Sequence, residues 1–176
     1  MTSYRKVIAE LYCKLLGEEL KKKVNELEIL QNQIGYEIAG GGVELLSETT
    51  VGQILRGKRN ISFNASLAFQ TSLHYKNPRE LFFPNNKFEL LLIKNIITMI
   101  LTDPVFEDTL LKQILAKKFL NISQKEVSQF IEKNKEIFLC SLSNFISDFP
   151  AEETSHQIAE KLTDWLSEFA CLISQF

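Results

Sequence analysis

Residues 47–62 constrain what this chain can fold into more than any other stretch of the sequence. Ser47 is a favoured helix N-cap residue, and Gly57 is of the type that most often follows the end of a helix. The apolar residues between them, Val51, Ile54 and Leu55, recur at helical spacing. The pattern therefore predicts a short helix that buries one face and ends in a basic, polar turn.

The face of this predicted helix opposite the apolar stripe is polar, with Thr49, Gln53 and Arg56 pointing outward on a 3.6-residue period. Side chains of these types hydrogen-bond base edges and phosphates, and Lys58 and Arg59 follow where they can contact a nucleic-acid backbone. The profile is typical of a DNA recognition helix. The same residues are also ordinary on the solvated face of any surface helix. Residues 47–62 by themselves leave both interpretations open.

Two further helix starts follow this segment. Ser62 is a second N-cap candidate, and the apolar positions after it are Leu67, Phe69 and Leu73. Residues 77–80 (Asn-Pro-Arg-Glu) combine an N-cap residue, a proline at the first helical position and a glutamate three residues after the cap. The apolar run 81–83 (Leu-Phe-Phe) comes next. The sequence thus predicts a helix from Ser62 and a short proline-led helix after Asn77.

The order of these features resembles the phage lambda repressor-like helix-turn-helix (Xre-type) family of transcriptional regulators over residues 16–83. The resemblance is most specific in residues 50–60 and 80–82. It implies an all-α N-terminal domain of five short helices, the second and third forming the helix-turn-helix. It places the first helix at residues 17–30 and the second at residues 33–39. Ile38 and Ala39 then match the family's pair where the second and third helices cross.

The link between the predicted second and third helices departs from the family. Residues 40–46 (Gly-Gly-Gly-Val-Glu-Leu-Leu) make it longer than the usual glycine and hydrophobic residue. Three consecutive glycines can adopt positive φ and relax this turn at an entropic cost. Two alternatives stay open here: the third helix sits at an unusual angle, or the second helix lies displaced from residues 33–39.

The resemblance also implies roles for individual residues. It assigns base reading to Glu48, Thr49 and Gln53, although Glu48 in the first turn also complements the helix dipole. It assigns phosphate contacts to Thr50 and Asn60, and electrostatic anchoring to Lys58 and Arg59. The full set of candidate DNA-binding residues is Gln33, Ser47, Glu48, Thr49, Thr50, Gln53, Arg56, Lys58, Arg59 and Asn60. The family further implies a dimer on a near-palindromic operator with half-sites about 34 Å apart.

The charge balance is not that of a strongly basic nucleic-acid binder, since the net charge is −2 at pH 7. Residues 1–84 hold 11 Lys and Arg against 9 Asp and Glu, whereas residues 85–176 hold 9 against 13. Clustering at Arg56, Lys58 and Arg59 must therefore supply most of the attraction to phosphates. The lysines at 21–23 either add to it or are only the solvated face of the first helix. Binding is expected to weaken quickly with salt.

Cysteine usage and hydropathy indicate a soluble cytoplasmic protein without a membrane partner. Cys13, Cys140 and Cys171 are odd in number and widely spaced, so we expect reduced, partly buried thiols and not a metal site or a disulfide framework. The N-terminal residues are charged and contain no apolar signal-peptide core. The most apolar run, residues 90–101, is interrupted by Lys94 and Asn95 and is shorter than the roughly 20 residues that span a bilayer.

Residues 85–176 predict a helical bundle, after a boundary at residues 84–86 that separates them from the N-terminal domain, residues 1–84. Helices are predicted at residues 87–101, from Pro104 to about Leu120, from Ser123 to Pro150, and from near Ala151 onward. The last helix carries a wide apolar stripe: Ile158, Leu162, Trp165, Leu166, Phe169, Leu172, Ile173 and Phe176. This stripe packs either in the core of the bundle or against a partner subunit, and we expect a homodimer through these helices.

Little in the sequence supports catalysis. His74 and His156 have no metal-ligand companion at a useful spacing, and neither a phosphate loop nor a nucleophile elbow is present. We therefore expect no enzyme, no metal and no cofactor. Phenylalanine-rich packing in residues 85–176 leaves open a small-molecule or peptide effector. The first functional hypothesis is a dimeric, sequence-specific DNA-binding repressor. The alternative is a protein-interaction adaptor that keeps the helix-turn-helix shape without reading DNA.

Overall fold

The computed structural model describes residues 3–36, 45–119, 121 and 123–176 of the chain. Every regular element within these residues is helical, so the chain is all-α there, as the sequence predicts. The helices are α1 (Ser3–Glu26), α2 (Glu48–Leu55), α3 (Phe63–Ser72), α4 (Pro78–Phe82), α5 (Asn86–Thr102), α6 (Leu110–Ala116), α7 (Gln124–Phe145) and α8 (Ser155–Ser174). Short 3-10 turns cover Gln31–Gln33 and Pro104–Phe106. In this described part, no helix has the length and apolar character needed to cross a lipid bilayer.

Helix α1 differs from the predicted first helix at both ends. It begins at Ser3 rather than at residue 17, because apolar residues continue toward the N-terminus at helical spacing and are buried there. Ile8, Tyr12 and Leu16 form this stripe. The helix ends at Glu26 rather than Leu30, since Glu28 adopts φ 55° and the chain closes with the reversed hydrogen bonds of a Schellman end.

The predicted second helix does not begin at Gln33. Gln31–Gln33 form a 3-10 turn, and the Leu30 amide donates to Gln33 Oε1 at 2.8 Å. Gly35 has φ +84°, outside the right-handed helical region, so an α-helix cannot run through residues 33–36. The predicted start of the second helix at Gln33 is wrong. That start rests on the family resemblance and not on a local pattern. Residues 37–44, which include Ile38, Ala39 and the three glycines, lie outside the described residues.

Helices α2, α3 and α4 begin where the sequence predicts. Each has the expected N-cap residue, Ser47, Ser62 or Asn77, whose side-chain oxygen accepts a hydrogen bond from the amide three residues later. The capping arrangement at α4 differs in one detail, since the Glu80 carboxylate accepts from the amide of Lys76, one residue before the cap, at 2.9 Å. The caps confirm the predicted starts of these three helices.

The segment between α5 and α7 departs from the single helix predicted from Pro104 to about Leu120. Asp103 caps only the 3-10 turn Pro104–Phe106, and its carboxylate accepts from the Val105 amide at 2.9 Å. A new helix, α6, then begins after its own N-cap residue, Thr109, and ends at Ala116. Asp103 and Pro104 therefore do start a helical segment, as predicted, but this segment is a single 3-10 turn.

The connection between α7 and α8 is longer than predicted. Helix α7 begins after its predicted cap, Ser123, and ends at Phe145, before Pro150. Helix α8 begins at Ser155 and not near Ala151, because Thr154 and Gln157 form a reciprocal capping box. The Thr154 amide donates to Gln157 Oε1 at 2.9 Å, and the Gln157 amide donates to Thr154 Oγ1 at 3.3 Å.

The described residues form two compact units. The N-terminal unit consists of the described part of Ala9–Asn85 together with Asp148–Ala159. The C-terminal unit consists of residues 3–8, the described part of Asn86–Ser147, and Glu160–Phe176. The chain changes unit between Asn85 and Asn86, and also within α1 and within α8. A division into residues 1–84 and 85–176 would place residues 3–8 in the N-terminal unit and Asp148–Ala159 in the C-terminal unit. In the structure each of these two segments belongs to the other unit.

Each unit has its own apolar core. In the N-terminal unit the largest fully buried side chains are Tyr12, Phe69 and Phe82. In the C-terminal unit Phe138 and Phe169 lie edge to face, with ring centroids 5.4 Å apart. Phe176 packs on the same cluster, 5.9 Å from Phe138, while 42 % of it stays exposed. Most of the stripe of α8 is buried within the chain, and homodimerisation through it stays a prediction.

Candidate nucleic-acid interface

Helix α2 presents the surface around which the candidate site is built. Its inner face is formed by Val51, Ile54 and Leu55, which are buried, together with the buried Gly52. Its outer residues are exposed or half-buried. The predicted division of this helix into an apolar and a polar face is therefore confirmed.

The end of α2 is closed by a Schellman motif at Gly57. The Lys58 amide donates to the Gln53 carbonyl at 2.9 Å, and the Gly57 amide donates to the Ile54 carbonyl at 2.8 Å. Gly57 has φ +66°, a conformation that L side chains rarely adopt. The motif reverses the chain at once, so the basic turn begins directly at the end of the helix.

Two glycines bring this helix end against α1. A Cβ atom at Gly57 would lie 2.4 Å from Lys14 Cα, and one at Gly17 would lie 2.6 Å from the Ile54 carbonyl oxygen. Because both neighbours are backbone atoms, neither could move aside cheaply. The position of the basic turn is therefore set by direct backbone contact between α1 and the end of α2.

Four predicted site residues share one hydrogen-bonded network on the outer face of α2. Ser47 Oγ lies 3.0 Å from Thr50 Oγ1. The Arg59 guanidinium folds back along the helix, where its Nη1 donates to Gln53 Oε1 at 3.3 Å and lies 3.5 Å from Thr50 Oγ1. These hydrogen bonds are long and solvent-exposed, so exchanging them for bonds to a base edge or a phosphate costs little.

The remaining predicted residues of α2 and its turn are also at the surface. Glu48 and Thr49 occupy the exposed first turn, where the Glu48 carboxylate complements the positive end of the helix dipole. The exposed Arg56 side chain lies over Gly52, since a Cβ there would be 3.3 Å from Arg56 Nη1. Lys58 is exposed as well. The basic turn thus presents its cations at one end of a short helix.

Asn60 is exposed, but its side chain is held by a buried thiol. Its Oδ1 accepts a hydrogen bond from Cys13, with a sulfur–oxygen distance of 3.1 Å. Burial raises the pKa of the Cys13 thiol, and the hydrogen bond with Ser155 lowers it by a smaller amount. The net rise keeps the thiol protonated near neutral pH, so it remains a donor to Asn60. All three cysteines are free, but only Cys13 is buried; the expected partial burial is wrong for Cys140 and Cys171, which are exposed.

The first residue of α8 holds the backbone immediately after the basic turn. Ser155 Oγ accepts from the Ile61 amide at 2.7 Å, and the Ser155 amide donates to the Ile61 carbonyl at 3.1 Å. Ser155 is fully buried. Sequence reasoning missed this anchor, because a serine at a helix start 94 residues farther along the chain has an ordinary local role and gives no sign of its partner.

Gln33 does not join the residues gathered around α2. Its side chain closes the 3-10 turn through Leu30, whereas Gln31 is the glutamine that reaches α2: a Cβ at Gly52 would lie 3.1 Å from Gln31 Oε1. Lys14 is a second residue that the sequence did not single out. It is exposed, and its backbone touches Gly57. A lysine three residues before a glycine is too common a pattern to have identified it.

The lysines of α1 at positions 21–23 resemble a solvated helix face. Lys21 and Lys22 are exposed, and the Lys22 ammonium pairs with the Glu19 carboxylate at 3.0 Å. A paired lysine contributes little net positive charge, which favours the interpretation of these residues as an ordinary surface.

The two histidines are exposed, and the described residues contain no group of three or more His, Cys, Asp or Glu side chains that could hold a metal ion.

Comparisons of this chain with models of known protein families, with curated proteins and with solved structures find no match. The resemblance to the lambda repressor-like family stays an interpretation of the sequence. The function therefore has to be argued from the chemistry of the surface around α2.

Proposed function

We propose that this protein is a sequence-specific DNA-binding transcriptional regulator that places the outer face of α2 in the major groove of double-stranded DNA. The observation that carries the proposal is a short, capped helix whose outer face holds an exposed Thr49 and a half-buried Gln53, with a basic turn at its end. Its simplest mode of action is repression, in which the bound protein covers a promoter.

The side chains on this face have the chemistry that base reading needs. The Gln53 amide suits the paired donor and acceptor of adenine, and the Thr49 methyl group suits the methyl group of thymine. Arg59 can leave its long hydrogen bonds to α2 and turn to a guanine edge or to a phosphate. Thr50 and Ser47 lie at the N-terminal end of α2, where backbone amides and the helix dipole favour a phosphate oxygen.

The surroundings of the basic turn support the proposal because they hold it in one place. The backbone contact of Gly57 with α1 and the two hydrogen bonds between Ile61 and Ser155 fix the turn on both sides. A recognition surface held this way loses little conformational entropy on binding. Such support is what a site for specific contacts requires.

The small number of cations predicts binding by two copies of the chain. One copy offers Arg56, Lys58, Arg59 and Lys14 around the end of α2. Each phosphate neutralised contributes a slope of about −0.9 to the dependence of log affinity on log salt. We propose a homodimer, formed through the helices of residues 85–176, because it doubles these contacts and matches a near-palindromic site with half-sites about 34 Å apart.

Selection of bound fragments from a random pool of duplex DNA tests the proposal. The purified full-length chain is used at near-physiological salt, and its helical circular dichroism is checked first. We expect enrichment of a near-palindrome whose half-sites are about one helical turn apart. If a folded protein enriches no sequence, the proposal fails and the interaction adaptor becomes the better account.

A further inference from the structure

The C-terminal unit contains a cavity of about 410 Å³, separate from the residues that form the proposed DNA contact. Its floor is apolar and well covered, since Phe106, Leu111 and Leu166 are all buried. The cavity lies within the volume range of about 300–1,000 Å³ that is usual for small-molecule sites in proteins.

The cavity exists because one wall is built from small side chains. Ser167, Ala170 and Cys171 line it from α8, on consecutive turns of one helix face. Tyr4 and Leu110 also line it, and 68 % of Leu110 is exposed. An exposed leucine beside an open space gains burial whenever an apolar group fills that space.

The described residues that line the cavity are uncharged. Among the described residues that surround the cavity none is Asp, Glu, Lys or Arg, although 24 % of the chain is charged. The Thr109 hydroxyl is already used within the protein, since it donates to the Phe106 carbonyl at 2.7 Å and accepts from the Lys112 amide at 3.2 Å. A charged ligand would lose its hydration here and find no side chain of opposite charge among the described lining residues.

We propose that this cavity binds an uncharged, largely apolar small molecule. Shape and apolar contact provide the affinity, and the hydroxyl of Ser167, exposed at the rim, offers a hydrogen bond to a polar end of the ligand. An extended peptide fits the site less well, because its backbone amides and carbonyls would lack partners on an apolar wall. The proposal is independent of the proposed DNA contact.

Two fluorescent dyes of nearly the same shape test the proposed binding of an uncharged molecule on the full-length chain. N-phenylnaphthylamine is uncharged, and anilinonaphthalene sulfonate adds one negative charge. We expect saturable binding of the uncharged dye at one site and binding of the sulfonate that is weaker by about tenfold or more. Absence of saturable binding of the uncharged dye, or equal binding of both dyes, overturns the proposal.

The site of binding is tested with a matched pair of variants on α8. Ala170→Phe fills the cavity and should abolish binding of the uncharged dye, whereas Ser174→Phe adds the same side chain at an exposed position outside the lining and should leave it unchanged. Equal dye affinity in a helical Ala170→Phe variant overturns the proposal.

Alkylation of the unmodified chain gives a measurement that does not depend on a variant folding. The dye should slow modification of Cys171, which lines the cavity, and leave the exposed Cys140 unaffected. A rate of Cys171 modification that is the same with and without the dye contradicts the proposal. Protection of Cys171 by higher protein concentration without dye also overturns it, because a second copy of the chain would then cover the cavity.

Discussion

At the scale of single residues, the geometry of the candidate site depends on Gly57 more than on any charged side chain. Its φ of +66° closes α2, and its missing side chain allows the backbone of α1 to approach. The sequence predicted the first property from the position of the glycine after an apolar stripe. It could not predict the second, because the approach of α1 is a tertiary contact.

Substitution Gly57→Ala should lower the free energy of unfolding by about 2–4 kcal/mol, since it combines a strained backbone with a clash against backbone atoms. Chemical denaturation measures the effect. Gly52→Ala is the matched control, because Gly52 is a buried glycine of the same helix with only flexible side-chain atoms near a new Cβ. It should be close to neutral, and equal losses in both variants would show that the Gly57 contact is not special.

Two tyrosines of the N-terminal unit make its free energy of unfolding fall as the pH becomes alkaline. Burial raises the pKa of Tyr12 well above 10, with smaller contributions from Cys13 and Glu153, and the Tyr12 hydroxyl donates to the Phe82 carbonyl at 3.0 Å. Burial, with nearby glutamates, raises the pKa of Tyr75 to about 12. A folded-state pKa above the unfolded value of 10.0 gives stability that is complete below that value and is lost as pH rises.

We therefore expect the free energy of unfolding to fall between pH 10 and about 12, with Tyr75→Phe reducing the slope. Denaturant titrations at several pH values, together with tyrosinate absorbance, measure both quantities. A free energy that stays constant across this window would contradict the assigned direction of the two pKa shifts.

At the scale of helices and turns, the beginnings of helices were easier to predict than their ends. Ser47, Ser62 and Asn77 act as N-caps at the predicted positions, because a cap is a local hydrogen bond between near neighbours. The chain instead turns out of α1 at Glu28 and out of α3 at His74, both with positive φ. Glutamate does not signal a helix end, so the end of α1 could not be found from the sequence.

His74→Gly should raise the free energy of unfolding by about 0.5–1 kcal/mol, because His74 follows α3 with φ 59° and glycine adopts this conformation without strain. Thermal unfolding measures the change. Thr71→Gly, at an exposed helical position of the same element, is the control and should lower stability. A loss of stability in both variants would contradict the role assigned to the left-handed turn.

At the scale of the whole molecule, the all-α class was predictable because helical periodicity runs through most of the chain. The division into units was only partly predictable. The change at Asn85 coincides with a proline and two asparagines, a local signal, whereas the assignment of Asp148–Ala159 to the N-terminal unit rests on long-range contacts such as Ser155 with Ile61. Most of the polar face of α2 was predictable because it follows from local helical periodicity. The positions of Gln31 and Lys14 beside α2 were not predictable, because they depend on tertiary contacts.

The measurement that tests the central claim most directly is the affinity of the Gln53→Ala variant for the duplex enriched by selection, and for its single-base variants. Loss of a base contact should cost about 1–3 kcal/mol on the enriched duplex and relax discrimination at one base pair of each half-site. Gln129→Ala, at an exposed position of α7, is the control and should bind like the unmodified chain. Unchanged affinity and unchanged base preference in Gln53→Ala would contradict the placement of α2 in the major groove.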